Sequence, residues 1–482
     1  MLRAHRIADV RTAEESLAAG LPDGELMRRA SRGLADALDH VAAGEVVVML
    51  IGPGNNGGDA LFAAVHLLDR GVRIDLCVLD EGTVHAEGLA AALTAGAEIV
   101  GSPSRQRLCL DALFGIGARP GLTGRSAEWA EWIADTRPYT VAVDVPSGVD
   151  VDGGTLPSTG AHVTADATVT FGTYKNALLA GPAAGVTGRA GTAIARLVDI
   201  GLAPHLPAPS IEAIEPSDGR LLAETFDWLG SPSSHKYSRG VVGIAAGSTQ
   251  YAGAAHLCVA GAQAGMAGMV RFVGDVDLSR RIVDRAPEVV AGRGRVQAWV
   301  VGPGSGDDAD AQLAAALEDG VPVVVDASAL QHLPDSFDVP ALLTPHAGEL
   351  AEMLGVRRDT VEADPLGHVT EAAERWGVAV LLKGSRTLVA TTGRTTRVNL
   401  TGSPWLGTAG SGDVLAGLAG SLLASGADPH DAGSIAAFLH GAAGVRANRG
   451  GPITASAVAA ALPATMAAFH DGALDDVRDW RD

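Results

Sequence analysis

Residues 45–79, EVVVMLIGPGNNGGDALFAAVHLLDRGVRIDLCVL, decide the fold. A run of branched apolar residues meets a glycine-rich turn, a helically spaced stretch follows, and a second branched run closes the unit. This is a strand–helix–strand unit, and its parallel strands need the helix as a crossover. The turn GPGNNGGD is not the GxGxxG dinucleotide fingerprint, because Asn55 and Asn56 occupy its middle. Asparagine side chains both donate and accept, so they suit the polar edge of a ligand or a cation that takes neutral oxygens. Gly57 and Gly58 would let a ligand approach the backbone closely.

Moving outward, residues 1–40 read as helical, with Asp23 as a cap before GELMRRASRGLADAL. RLCLDALFGIG reads as a strand ending in Asp111 and another glycine turn, and YTVAVDVPSGVD as a strand ending in Asp144 and Ser147. Three such loops at strand C-termini, carrying Asn56, Asp59, Asp111, Asp144 and Ser147, would converge at the crevice of a doubly wound sheet. DATVTFGTYKNALL and TAIARLVDIGL read as edge strands with Lys175 in the loop between them, and the proline-punctuated segment 204–216 as a linker.

The second half repeats the alternation. SHKYSRGVVGIAAGSTQYAGAAHL, AWVVGPGSG and VAVLLKGSRTLVAT read as strands leading into glycine loops or turns, VPVVVDAS as a strand ending in Asp326, and LLTPHAGELAEMLG sets His346 and Glu349 at a helix start. Residues 399–423, NLTGSPWLGTAGSGDVLAGLAGSLL, place Gly410, Ser411 and Gly412 before Asp413 and an apolar helix. Glycines there turn backbone N–H groups onto an anion at the positive end of the helix dipole. Asp413 at that rim either caps the helix or takes a proton while the amides hold phosphate. Both halves are thus α/β, with domains at 1–208 and 216–482.

Composition narrows the function. A chain of 482 residues, 47% hydrophobic, can bury more than one core. A formal charge of −20 and a pI near 5.0 argue against sequence-independent nucleic-acid binding. Cys77, Cys109 and Cys258 lie far apart with no metal-ligand spacing, which fits a reducing compartment. No secretory h-region opens the chain, and the uncharged run 241–270 is too rich in Gly, Ala and polar residues for a bilayer span, so a soluble cytoplasmic protein is expected. Of 36 basic residues only Lys175, Lys236 and Lys383 are lysines, which nominates them as places needing a compact point charge.

GPGNNGGD, DALFGIG and VDVPSG resemble the NAD(P)H-hydrate epimerase family. SHKYSRG, GSTQYAGAA, VGPGSG, TPHAGE, LLKGS and NLTGSPWLGTAGSGDVLAG resemble the ADP- or ATP-dependent NAD(P)H-hydrate dehydratases, a branch of the ribokinase-like fold. The resemblance implies two doubly wound three-layer α/β domains, Rossmann-like then ribokinase-like. It implies repair of hydrated nicotinamide cofactors: epimerisation at C6 by the first half, and nucleotide-dependent dehydration of the S form by the second. A homo-oligomer without nucleic-acid or membrane partners is the expected assembly.

Carried over residue by residue, the hydrate lies on Asn55, Asn56, Gly57, Gly58 and Asp59, and on the loop Gly115, Ile116, Gly117, Ala118, Arg119, Pro120 and Gly121. Asp144 is the general acid/base. A potassium ion takes oxygens from Asn56, Asp111 and Ser147. Lys175 either polarises the substrate or pairs with a carboxylate. In the second half Lys383, Gly384, Ser385, Arg386, Thr387 and Gly412 hold ADP or ATP with magnesium. Asp413 and His346 face the hydrate, with Ala254 and Gly304 lining its pocket; the alternative for His346 is that it only caps its helix. Ala60 and Ile116 stand where Gly and Thr are usual. The rival readings are a ribokinase-like vitamin-precursor kinase fused to a dinucleotide-binding domain, and a non-enzymatic dinucleotide-binding regulator in the first half.

Overall fold

A computed structural model describes residues 1–188, 195–219, 234–448 and 451–474. The chain forms two compact units, Arg3–Ile211 and Glu212–Asp482, the latter joined by Met1–Leu2. The acidic ending HDGALDDVRDWRD, which reads from sequence as a solvated tail, lies from residue 475 outside the described residues, as does the start of the TAIARLVDIGL segment.

In the first unit seven strands form a parallel sheet: β1 (Val46–Ile51), β2 (Arg73–Val78), β3 (Glu98–Ile99), β4 (Leu108–Ala112), β5 (Tyr139–Val143), β6 (Ala167–Phe171) and β7 (Arg196–Val198). Their order is β3-β2-β1-β4-β5-β6-β7, which reverses between β1 and β4. Alternation along β1 explains the three layers. Val47, Met49 and Ile51 pack with Ala60, Leu61 and Ala64 on one face, whereas Val48 and Leu50 pack with Cys77, Trp129 and Ile133 on the other. The doubly wound reading therefore holds. The expected edge strand 167–171 is interior, paired on both sides, and β7 lies beyond it.

Two helices precede β1: α1 (Ile7–Ala18) and α2 (Glu25–Ala37). The cap of α2 is Gly24, left-handed at φ 71°, not Asp23. The residues GNNGGD are not a loop but the opening of helix α3 (Gly54–Asp69), and α4 (Ala86–Ala95) and α5 (Arg125–Thr136) follow later in the same unit. That sharp strand-to-helix turn depends on Gly52, whose hypothetical Cβ would stand 1.7 Å from the Leu113 carbonyl oxygen. Lys175 lies not in a loop but in a short strand, Tyr174–Lys175, which pairs with Ala4 and His5 near the N-terminus.

The second unit carries β8 (Val241–Ala245), β9 (Met269–Val273), β10 (Val290–Ala291), β11 (Ala298–Val301), β12 (Val323–Val325), β13 (Ala341–Leu343), β14 (Ala379–Leu382), β15 (Thr387–Ala390) and β16 (Thr396–Asn399). Within this unit the order runs β10-β9-β8-β11-β12-β13-β14-β15-β16, parallel through β14 and antiparallel thereafter. The uncharged run 241–270 resolves into β8, helix α6 (Ala252–Ala264) and the start of β9. Segment 204–216 is not a bare linker, since it contains the strand Ile211–Ala213, and the division between units falls inside it.

Helices α7 (Ala347–Leu354), α8 (Ser411–Ala424), α9 (Pro429–Asn448) and α10 (Ala455–His470) complete the region around the glycine turn. From Val414 to Ala424 every residue of α8 is buried, which is why that stretch is apolar all round. It packs backbone to backbone on α6. A Cβ at Gly417 would stand 2.0 Å from the Cys258 carbonyl oxygen, and one at Gly261 would stand 2.1 Å from that of Val414. This contact fixes the end of α8 that carries Asp413. No helix among the described residues is long and apolar enough to cross a membrane.

Candidate active sites

The first unit holds a cavity of about 830 Å³ at the C-terminal ends of β1 and β4, where the strand order reverses. Its walls include Asn55, Asn56 and Asp59 of α3, the 115–119 loop with Gly121, and Asp144. The structure thus brings most of the expected first-half residues to one wall set; Gly57 and Gly58 are buried under the α3 turn, and Pro120 is exposed beside the loop. Ile116 lines the cavity with an apolar surface.

Asp144 sits just beyond β5 at φ 68°, a left-handed conformation that costs a non-glycine residue roughly 1–3 kcal/mol. Its Oδ1 accepts hydrogen bonds from Lys175 Nζ at 2.5 Å and from Thr170 Oγ1 at 3.0 Å. Lys175 is fully buried and also donates to Thr170 Oγ1 and to the Phe171 carbonyl oxygen. Of the two readings of Lys175, pairing with a carboxylate is what the geometry has. Burial pushes the Asp59 carboxyl well above its ordinary range, and the Asp144 and Glu14 charges push it further against Lys175. Glu14, from α1, is raised mainly by burial and then by Asp144, while Lys175 opposes. Glu14 and Arg11 both line the cavity. Nothing in the motif pattern singles them out, because α1 carries no glycine turn and no strand end.

Beside this cluster, Asp111 is fully buried. Its Oδ1 accepts from Ser147 Oγ at 2.7 Å and its Oδ2 from the Ser147 amide at 2.8 Å. Burial drives its pKa up to about 6 despite hydrogen bonds from Ser147 and Leu113. Asn56 leaves its Nδ2 buried without a hydrogen-bond partner, and its Oδ1 lies against Gly115. A buried carboxyl lacking a counter-charge and an unsatisfied amide, whose two ends are interchangeable by rotation, fit a monovalent cation taking hard oxygens there.

In the second unit Asp326 follows β12 and is buried, and the next residue, Ala327, is left-handed at φ 48°. Asp326 Oδ1 accepts from Lys383 Nζ at 2.7 Å and from Thr344 Oγ1 at 2.8 Å. Lys383 also lies 3.7 Å from Glu349 Oε2. Burial works against the Lys383 ammonium, but Asp326 and Glu349 outweigh it and hold its pKa above the ordinary lysine value. A Cβ at Gly412 would be 3.5 Å from Lys383 Nζ, so the 383–387 turn and the glycine turn meet. Gly384 and Ser385 are exposed there, and the Thr387 hydroxyl closes the turn onto Gly384.

Asp413 is not the cap of α8; that position is Gly410, at φ 85°. Burial lifts the Asp413 pKa to about 6, with Asp326 adding to the rise and Lys383 opposing it. His346, by contrast, does cap its helix. Its Nδ1 accepts from the Glu349 amide at 3.0 Å, while the Glu349 carboxylate accepts from the His346 amide, and the imidazole is exposed. Ala254 and Gly304 touch, since a Cβ at Gly304 would meet that of Ala254 at 2.7 Å. Lys236 is exposed, its Nζ 5.1 Å above the Tyr237 ring.

Sequence reading passed over Asp326 as a site residue, although VVVDAS repeats the strand-then-Asp pattern of VAVDVPS. It also passed over His440, a buried imidazole pushed down to about 4 by desolvation, which lies 3.3 Å from Ser411 Oγ. Set among alanine, glycine, leucine and phenylalanine in the middle of α9, that histidine carries no signal of its own.

Two family models match the chain: YjeF-related protein N-terminus over residues 23–177, and NAD(P)H-hydrate dehydratase over residues 242–462. The bifunctional NAD(P)H-hydrate repair enzyme of Mycobacterium leprae is 39% identical over 90% of this chain and 92% of its own length. That of Mycobacterium tuberculosis strain CDC 1551 is also 39% identical, over 88% of this chain and 89% of its own. The solved ADP/ATP-dependent NAD(P)H-hydrate dehydratase of Bacillus subtilis, co-crystallised with ATP and magnesium, covers 50% of this chain and 93% of its own. Its identity is 27% and its TM-score 0.47. With relatives of this identity matching it nearly end to end, the chain belongs to the family of bifunctional NAD(P)H-hydrate repair enzymes.

Proposed function

We propose that the chain restores hydrated NADH and NADPH in two steps, epimerising the C6 hydroxyl in residues 1–208 and dehydrating the S epimer in residues 216–482, with ADP as phosphoryl donor. The observation that carries the reading is a repeated device. Each unit pairs a buried carboxylate with a lysine, Asp144 with Lys175 and Asp326 with Lys383, at the C-terminal edge of a parallel sheet. Two of the three lysines in the chain are used this way.

In the first cavity Asn55, Asn56, Asp59 and the 115–121 loop hold the hydrate, and Asp144 exchanges a proton at the C6 oxygen. Potassium is held by Asn56, Asp111 and Ser147, where it supplies the charge that balances the buried Asp111. In the second site Asp413, ionised above about pH 6, takes the C6 hydroxyl proton as that oxygen attacks the terminal phosphorus of the donor. The Gly412 amide and Lys383 stabilise charge on the transferring group. Phosphate then leaves C6 as the ring nitrogen donates its lone pair, and loss of a C5 proton restores the ring double bond. His346 and the Ala254–Gly304 wall face the hydrate. Among the described residues no three His, Cys, Asp or Glu side chains converge as a metal site. That suits magnesium carried mainly by nucleotide phosphates, with Asp326 and Glu349 as the carboxylates beside it. The protein acts in the cytoplasm as a homo-oligomer.

The test is a donor-swap assay on an epimer mixture, with potassium and magnesium varied separately. The expected result is complete return to NAD(P)H with ADP, half return when the first site is disabled and spontaneous epimerisation is subtracted, and magnesium dependence of the second step alone. Transfer of phosphate to a vitamin alcohol without cofactor repair would sink the proposal.

A further inference from the structure

Epimerisation at C6 poses a proton-counting problem that Asp144 does not solve alone. The hydrated carbon bears both the hydroxyl and the ring nitrogen. Protonating the hydroxyl oxygen lets the C6–O bond break as water while the nitrogen lone pair forms a C6–N double bond. Water then adds to the other face of C6 and must lose a proton. One group therefore gives a proton on one face while another accepts one on the other face, and a single rigidly held side chain reaches only one face.

We infer that Glu14 is the second proton-handling group of the first cavity, paired with Asp144. This rests on the epimerase reading of that site. The two carboxyls come from different walls, Glu14 from helix α1 and Asp144 from the end of β5, and both line the same space. Asp144 is pinned by Lys175 and Thr170, whereas the Glu14 side chain makes no hydrogen bond or ion pair among the described residues. A half-buried carboxyl left unbonded at a cavity wall is available to a ligand.

Burial favours its acid form, with Asp144 adding to the rise and Lys175 and Arg11 opposing it. Glu14 faces Asp144 from the sheet, Asp59 from α3, Lys175 from its short strand and Arg11 from its own helix. Three carboxyls share one buried ammonium, so like-charge repulsion and burial keep a proton in the cluster, and Glu14 is raised above its ordinary value. In the R-to-S direction Glu14 donates to the departing hydroxyl and the Asp144 carboxylate receives the proton of the incoming water. In the reverse direction their roles exchange, and between turnovers the proton returns through solvent or the neighbouring Asp59. No oxidant or co-reactant is required.

The experiment measures conversion of purified R hydrate to S by the full-length protein without nucleotide, from pH 5 to 9, after subtracting the spontaneous rate. Glu14→Gln is expected to lower kcat at least ~100-fold, the low end of general acid–base contributions. KM should stay within about threefold and one limb of the pH profile should vanish, with ADP-dependent dehydration of S hydrate unchanged. Glu14→Asp should restore both limbs at a reduced rate. Glu14→Gln at wild-type kcat with both limbs, or a loss confined to KM, overturns the inference. Should Glu14→Gln fail to fold by circular dichroism, Glu14→Asp decides: a slower rate with a displaced limb supports the role, and an unchanged profile overturns it. A wild-type protein no faster than the spontaneous rate would instead fail the epimerase reading itself.

Discussion

The Lys175 ammonium sits 2.5 Å from Asp144 Oδ1 with both side chains nearly shut off from water. In such a pair the partners depend on each other more than either contributes alone, because removing one leaves a buried charge unmatched. Lys175→Met should therefore destabilise the first unit by about 3–5 kcal/mol. It should abolish epimerisation beyond the spontaneous rate while leaving dehydration of supplied S hydrate intact. Differential scanning calorimetry and the two separate assays check this. A stable variant with full epimerase activity would show that the pair is not needed.

Asp413 gives a pH test of the second step. Its pKa near 6 means that below pH 6 most of the carboxyl is protonated and unable to accept the hydroxyl proton. Single-turnover dehydration should therefore fall about tenfold per pH unit below that point and level off above it. Asp413→Asn should abolish dehydration at every pH and leave epimerisation alone. A rate independent of pH between 5 and 8 would remove Asp413 as the base.

How far the sequence alone reached is clear from these two aspartates. Both stand at abrupt junctions between an apolar run and a glycine-rich segment, and such junctions are legible because glycine and strand periodicity leave a local trace. The same holds for the two doubly wound sheets, since their central strands are branched apolar runs. What was not legible depended on distance in the chain. Glu14 reaches the first cavity from a helix whose spacing looks like any solvated helix, and Lys175 was read as a loop residue because its strand is two residues long and pairs with residues 4 and 5. Asp413 itself could not be told from a cap by sequence, because the left-handed Gly410 that takes the capping place is one more glycine in a run of them.

Asp111 predicts an ion effect on stability with a definite sign. Its pKa is about 6 in the folded chain against an ordinary 3.8, so in this unit the folded state binds the proton more tightly. The stability it contributes is fully present below about pH 4 and is lost as pH rises through 6, leaving a penalty of roughly 3 kcal/mol at neutral pH by the usual conversion. Potassium held at Asn56, Asp111 and Ser147 would offset that penalty. At pH 8, replacing tetramethylammonium by potassium should raise the unfolding temperature of the first unit, with little effect at pH 4.5. Asp111→Asn should remove the difference. An equal response to both cations would argue against a site there.

The last prediction separates position from chemistry. Gly417 lies one helical turn beyond Asp413, carries no side chain into the site, and lets the backbone of α8 lie against Cys258 on α6. In Gly417→Ala the new Cβ would begin 2.0 Å from the Cys258 carbonyl oxygen, so the helices must separate. Overpacking of this kind costs about 1–3 kcal/mol. Because Asp413 rides on the same helix, its distance to Lys383 and to the glycine turn must change with it. The expected result is a fall in kcat for dehydration with an unaltered pH midpoint, since burial and charge around Asp413 stay nearly the same. Epimerisation should be unaffected. A shifted midpoint would mean that the packing of α8 sets the proton affinity of Asp413 as well as its place.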